Sequence, residues 1–137
     1  MRRQIIAVRE NQDVWSLART LIENGITGAP VLDGAGALVG VISQTDLVRY
    51  LRDAARDRED FYSDPEQDLG KRPRPVLARD LMTRKVIQAD EEASLAELSR
   101  IMLRLGVHRV LITSGRRLSG IVTTMDILRA RSLPYSS

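Results

Sequence analysis

One short pattern occurs twice in the chain: a hydroxyl residue, two variable residues and an aspartate. It reads Ser43-Gln44-Thr45-Asp46 in one place and Thr123-Thr124-Met125-Asp126 in the other. These residue types suit recognition of a polar ligand. A carboxylate has about four lone-pair sites and can accept two hydrogen bonds from a sugar diol. A hydroxyl beside the free amides of a helix start can hold a phosphate. The same residues also make good helix starts, because an acid in the first turn stabilises the helix dipole by about 0.3–1 kcal/mol. On residue types alone, both roles stand for Asp46 and Asp126 and for their neighbours Ser43, Thr123 and Thr124.

Other chemistries are poorly provided for. The chain has no cysteine, which removes disulfides, thiol catalysis and cysteine-based metal centres. His108 is its single histidine, so a two-histidine zinc site cannot form within one chain. Gly34, Gly36 and Gly40 have spacings of two and four, whereas a dinucleotide fingerprint needs two and three. There is no Walker A pattern. His108 is the one candidate base for a serine triad, and no nucleophile elbow accompanies it. Aromatic residues make up 4% of the chain, too few for a platform that stacks single-stranded bases. These absences argue against an enzyme and against nucleic acid as a partner.

The elements that position the two patterns repeat with them. Displaced by 81 residues, Met1 falls on Met82, Leu17 on Leu98 and Gly25-Ile26 on Gly106-Val107. One residue then drops out near residue 34, and at an offset of 80 Gly40-Val41-Ile42-Ser43 falls on Gly120-Ile121-Val122-Thr123. Each copy opens with a short β-branched strand, Ile5 to Val8 and Val86 to Ala89. Helices follow, with Asp13 as N-cap in the first copy and a capping-box spacing from Ser94 to Glu97 in the second. Val14, Leu17, Ala18, Leu21 and Ile22 make an apolar face, as do Leu95, Leu98, Met102 and Leu105. Gly25 and Gly106 end these helices, since glycine enters the left-handed cap most cheaply. Two strands then flank a turn, Ala29 to Leu32 with Leu38 to Ser43, and Val110 to Thr113 with Leu118 to Thr123. A second helix starts after Ser43 and after Thr123. The expected order is β-α-β-β-α, twice, an α/β (α+β) fold with the sheets packed together and the helices outside.

The partition follows: residues 1–51 form the first repeat, 52–76 a helical extension and polar linker, and 77–137 the second repeat. The second helix is expected to run to Asp60, and the segment from Phe61 to Pro75, with Pro65, Gly70, Pro73 and Pro75, to be a loop. A single copy is too small for a good core, so the two should pack together. At 43% hydrophobic and 28% charged residues, the chain has the balance of an ordinary globular protein. No apolar run approaches the roughly 20 residues of a membrane span, and no signal sequence follows Arg2-Arg3, so a cytoplasmic location is expected. The net charge is +3, and residues 76–137 hold ten basic groups against six acidic ones. That bias suits a small anion better than a nucleic-acid backbone.

With this layout in view, the chain resembles a tandem pair of CBS domains, the cystathionine-β-synthase-type regulatory module also called a Bateman module. Gly40 to Asp46 and Gly120 to Asp126 carry the resemblance, each with a glycine, apolar residues, Ser or Thr, two variable residues and Asp. Gly25-Ile26, Gly106-Val107 and Ala29-Pro30-Val31 match as well. The resemblance covers nearly all of the chain outside the linker. It implies repeats related by a pseudo-two-fold axis and a cleft between them. The ligands it implies are adenosine derivatives such as AMP, ADP, ATP or S-adenosylmethionine, with or without magnesium. It further implies a homodimer and a regulated partner protein.

By the same resemblance, Asp46 and Asp126 are ribose ligands, and Ser43, Thr123 and Thr124 are phosphate-side ligands. Ile6, Ala7 and Ile87 would lie beside an adenine through backbone groups. The copies differ at Thr27-Gly28 against His108-Arg109. If this loop borders the cleft, Arg109 offers a bidentate phosphate grip and His108 a pH-dependent donor, whereas Thr27 offers a hydroxyl. His108 would equally be welcome as a cation at a helix end. The second copy also has a helical lead-in, Ala78 to Leu81, without a counterpart before Met1, so one wall of a site is expected to be incomplete. Leu47, Leu51, Ile127 and Leu128, on the second helices, are the expected dimer contacts. A scaffold without a ligand is the competing reading, and a nucleotide-processing enzyme is the third.

Overall fold

A computed structural model describes residues 5–60 and 75–132. Its elements run β1 (Val8–Arg9), α1 (Val14–Asn24), β2 (Gly28–Leu32), β3 (Leu38–Ser43) and α2 (Gln44–Asp60). Then come α3 (Ala78–Leu81), β4 (Gln88–Asp90), α4 (Leu95–Leu105), β5 (Arg109–Ser114), β6 (Arg117–Thr123) and α5 (Thr124–Ser132). The fold is α+β, a β-α-β-β-α unit formed twice. Each unit has a three-stranded mixed sheet, in the orders β1-β2-β3 and β4-β5-β6. The first two strands of each sheet are parallel and the last two antiparallel.

The repeat extends to irregularities. The β2–β3 ladder shifts register between Val31 and Leu32, and the β5–β6 ladder shifts at the equivalent step, between Ile112 and Thr113. The residue lost from the second copy comes out of the turn. Asp33 Oδ1 there accepts from the amides of Ala35 and Ala37, both at 2.9 Å, an arrangement that closes a polar turn from within.

Local chemistry sets the helix ends as expected. Asp13 caps α1 by accepting from the Ser16 amide at 2.8 Å, and Ser94 caps α4 by accepting from the Glu97 amide at 3.1 Å. Gly25 and Gly106 terminate them with φ of 60° and 65°, the left-handed region where a Cβ would be penalised. The apolar faces are narrower than the sequence pattern. Leu17, Leu21, Leu98 and Met102 are buried, but Ile22 is 79% exposed, because it lies about 100° around the helix from Leu21. Leu95 and Leu105 are exposed as well.

The opening strands also differ from expectation. β1 begins at Val8 rather than Ile5, and β4 at Gln88 rather than Val86. Parallel pairing starts only at Val8 with Val31 and at Gln88 with Leu111. The β-branched residues before these points are approach segments. α2 does reach Asp60, and the expected loop lies outside the described residues apart from residue 75.

Two hydrophobic clusters form, one per sheet. The first includes Ala78, which is fully buried, with Leu81 and Met82 packed against it. The lead-in to the second repeat therefore crosses onto the first. Ala78 and Arg79 donate backbone hydrogen bonds to Gln12 and Glu10, and Val14 donates to Val76. Farther along, Thr83 and Val41 exchange two backbone hydrogen bonds, at 2.8 and 2.9 Å. Leu38 donates to Arg116 at 2.9 Å, joining the tips of the two hairpins.

Gly40 lies under this crossing. A Cβ there would sit 2.7 Å from Met82 Sδ and 2.9 Å from the Thr83 carbonyl oxygen. Sulfur at the end of a side chain can move, but a paired backbone carbonyl cannot move without breaking its ladder. Gly40→Ala should therefore destabilise the fold by about 1–3 kcal/mol, the usual cost of overpacking. A urea midpoint lowered to match, with an unchanged midpoint for Gly34→Ala, where nothing lies within 4 Å, would bear this out. Equal midpoints for both variants would refute it.

Candidate functional site

The Ser–Asp and Thr–Asp patterns build two nearly identical junctions. Asp46 stands in the first turn of α2, and its Oδ2 accepts from the Ser43 amide at 2.8 Å and from the Ser43 hydroxyl at 3.1 Å. The Asp46 amide donates back to Ser43 Oγ at 3.4 Å. In the second repeat, Asp126 Oδ2 accepts from the Thr123 amide at 2.9 Å, and the Asp126 amide donates to Thr123 Oγ1 at 3.2 Å. Both patterns thus form reciprocal helix caps. Capping uses one carboxylate oxygen of each aspartate. At Asp46 the other, Oδ1, lies 3.7 Å from the exposed guanidinium of Arg49 in an i,i+3 pair, which is a weak tether.

The amide of Thr123 also acts on the ionisation of Asp126. By hydrogen-bonding the charged carboxylate it lowers the pKa from its usual 3.8, against a smaller opposing effect of burial; the Thr123 hydroxyl and Arg129 add to the lowering.

Thr27 and His108 occupy equivalent places and do the same work through the backbone. The Thr27 carbonyl accepts from the Gln44 amide at 2.8 Å, and the His108 carbonyl from the Thr124 amide at 2.9 Å. Both side chains are exposed.

A cleft of about 360 Å³ opens between the repeats. The first repeat contributes Gly28 to Pro30, Val41 to Ser43 and Asp46. The second contributes Thr83, Lys85, Val86 and Ile87 from its approach segment, Val107, and Arg109, Leu111 and Ile121 from its sheet. The volume is in the range of small-molecule sites, which are typically apolar with a few polar groups set around them. Asp46 and Ser43 stand at one part of the lining, and two cationic residues, Lys85 and Arg109, come from the opposite repeat.

Four of the residues singled out from sequence therefore meet in this cleft: Ser43, Asp46, Ile87 and Arg109. Thr123, Thr124, Asp126 and His108 gather instead at the β6–α5 junction. Ile6 and Ala7 lie just before β1, and neither they nor Thr27 line this cleft. Lys85 was not anticipated. Its signal was the repeat itself, which sets Lys85 opposite Gln4 in one of only two lysine positions in the chain. Among the described residues no group of three or more His, Asp or Glu side chains could hold a metal, and no helix is long and apolar enough to cross a membrane.

Comparison with known proteins agrees with this architecture. The CBS domain family matches residues 1–53 and 78–133. The uncharacterized protein MJ1426 of Methanocaldococcus jannaschii is 30% identical over 143 residues, covering 91% of this chain and 84% of that one. Of MJ1225, from the same organism and 27% identical over 129 residues, the chain spans only 40%. Among solved structures, CBSX2 in complex with AMP superposes with a TM-score of 0.70 at 25% identity, covering 95% of this chain and 89% of that one. CBSX2 is a chloroplastic protein of Arabidopsis thaliana. The CBS domain pair of MJ0100, in complex with 5′-methylthioadenosine and S-adenosyl-L-methionine, superposes with a TM-score of 0.66 at 26% identity, covering 96% and 90%.

The Asp126 cap makes stability depend on pH. A carboxyl whose pKa is lowered by folding stabilises the native state above its unfolded pKa, and loses that contribution as pH falls through the folded value. The wild type should therefore exceed Asp126→Asn in urea midpoint at pH 5, and the gap should shrink as pH falls below 3.8. A gap that stays constant from pH 5 to pH 2.5 would count against this account.

Proposed function

Because the chain belongs to the CBS domain family, we propose that it is a regulatory module that binds an adenosine derivative between its two repeats and passes its bound state to a partner protein. The observation that carries this reading is the composition of the cleft. Ser43 and Asp46 of one repeat and Ile87 and Arg109 of the other line one largely apolar space. Asp46 Oδ1 is the ribose acceptor, since Oδ2 is held by the cap. The Ser43 hydroxyl and Arg109 serve a phosphate, and the apolar residues around Ile87 take the base. Asp126, Thr123 and Thr124 repeat the acceptor and hydroxyl arrangement at the other junction, as a second site. That CBSX2 was solved with AMP, and the MJ0100 pair with methylthioadenosine and S-adenosylmethionine, supports the ligand class.

The module reads its ligand without transforming it. Both aspartates are tied into caps, and a cytoplasmic setting, where adenine nucleotides are abundant, fits such a sensor. Magnesium, where it takes part, comes with the nucleotide's phosphates.

We further propose a homodimer. Of the four residues expected at its contact, Leu47 is buried in the first core and Ile127 packs against the second. Leu51 and Leu128 are exposed, and Val48 and Met125 on the same two helices are exposed with them. Exposed apolar side chains on these equivalent helices of the two repeats fit a self-association face.

Thermal-shift titration with AMP, ADP, ATP and S-adenosylmethionine, each with and without magnesium, tests the ligand reading. A ligand at 100 times its dissociation constant adds about 2.7 kcal/mol, which moves the midpoint by several degrees in a domain of this size. One or more ligands should give that shift, and Asp46→Ala with Asp126→Ala should abolish it. No shift in protein freed of bound ligand would leave a scaffold, and turnover of AMP or ATP by substoichiometric protein would make the chain an enzyme. Light scattering after gel filtration should give twice the chain mass, falling toward one chain in Leu51→Glu with Leu128→Glu. A monomer at high concentration would remove the dimer.

A further inference from the structure

The charged residues around the cleft are unevenly committed. Among the described residues Asp46 is its single acid, and that carboxylate already accepts from the amide and hydroxyl of Ser43 and faces Arg49 at 3.7 Å. Among the described residues Lys85 and Arg109 are its two cations, and neither side chain has a hydrogen-bond or salt-bridge partner there. The cleft therefore presents two uncompensated positive groups against one negative group that is partly neutralised in place.

These cations are not part of the repeated frame. Under the internal alignment, Lys85 corresponds to Gln4 and Arg109 to Gly28. The two aspartates and their hydroxyl partners recur in both copies, while these two positive groups stand in one copy only. In a chain with 19 arginines and two lysines, the excess charge of the cleft comes from two positions held by separate segments, the approach to β4 and the first residue of β5.

We infer that this cleft selects adenosine derivatives carrying a phosphate and disfavours those carrying a fixed positive charge, with Lys85 and Arg109 as the residues that discriminate. The inference rests on the reading above that the cleft takes an adenosine derivative. A phosphate monoester meets both cations, and the planar guanidinium of Arg109 can grip it with two parallel hydrogen bonds. Lys85 acts as a compact point charge on a flexible stem. A sulfonium such as that of S-adenosylmethionine would place its positive charge among two others. Adenosine itself would keep the ribose and base contacts and leave both cations unanswered. Discrimination then comes from repulsion as well as attraction.

Isothermal titration of the full chain with adenosine, AMP and S-adenosylmethionine, scored on the binding that Asp46→Asn removes, is the test. AMP should bind at least about tenfold tighter than either other ligand, a difference of ~1.4 kcal/mol. Lys85→Gln with Arg109→Gln should lower the AMP affinity at least about tenfold and leave adenosine within about twofold, with an unchanged melting midpoint. Adenosine or S-adenosylmethionine binding as tightly as AMP, or an AMP affinity indifferent to the double variant, overturns the charge selection and leaves the adenosine reading intact. Binding of none of the three overturns that reading, and the charge selection with it.

Discussion

Val41 and Thr83 belong to different repeats, yet they exchange a pair of backbone hydrogen bonds as neighbours in a sheet would. Much of the architecture depends on this contact. It fixes the approach segment of the second repeat along the edge of β3, which places Lys85, Val86 and Ile87 beside the cleft. It demands a glycine at position 40, because Met82 and the Thr83 carbonyl pass directly over it. It also explains why Ala78 is buried among first-repeat residues, for a chain held at Thr83 must run back across that core to reach it. The two halves are thus interlocked by main-chain pairing rather than merely laid face to face. Apart from the glycine at position 40, such pairing depends little on side-chain identity, so the repeats can diverge around it without coming apart.

The junctions at Asp46 and Asp126 bring two demands together. Capping needs a carboxylate oxygen directed at the amide three residues back, and ligand recognition needs a carboxylate held still. The first satisfies the second. With Oδ2 bound to the Ser43 amide and hydroxyl, the remaining oxygen of Asp46 has little freedom left to lose when a partner arrives. Preorganisation of this kind raises affinity by lowering the entropic cost of binding. The cap seen at these positions is therefore compatible with the proposed ligand role.

What the sequence made legible was local. Asp13, Ser94, Gly25 and Gly106 act within one turn of chain, and each sits where cap chemistry placed it. The internal repeat was legible because it is a statement about order alone. The strand starts were less so: Ile5 and Val86 have strand-like side chains, but a strand needs a partner, and the parallel partners begin at Val31 and Leu111. Ile22 was assigned to an apolar face that geometry closes at Leu21. The cleft was legible only in part. Asp46, Ser43 and Arg109 have chemistry that draws notice, whereas no motif marks Lys85, which reaches the cleft through the crossing. No periodicity encodes a contact between residues forty or more positions apart.

The composite walls bear on how binding could be felt elsewhere. A ligand held by a single repeat has no mechanical purchase on the other, and the spacing between them would be the same with or without it. Here the acid and hydroxyl come from the first repeat and the cations from the second, so under the proposed function both repeats would hold one molecule. Any change in the angle between repeats changes the distance from Asp46 to Arg109, and hence the fit. Ligand affinity and inter-repeat angle are then linked, and a ligand can shift the angle only by as much as its affinity differs between the two arrangements. The pairings at Val41–Thr83 and Leu38–Arg116 restrict which rearrangements are available. Motions that keep both pairs, a twist or a slight opening about the line through them, are the ones a phosphate drawn between the repeats could drive. The helices α2 and α5 carry the two aspartates in their first turns. Under the proposed function, such a motion would reach α2 through Asp46, the acid that lines the cleft.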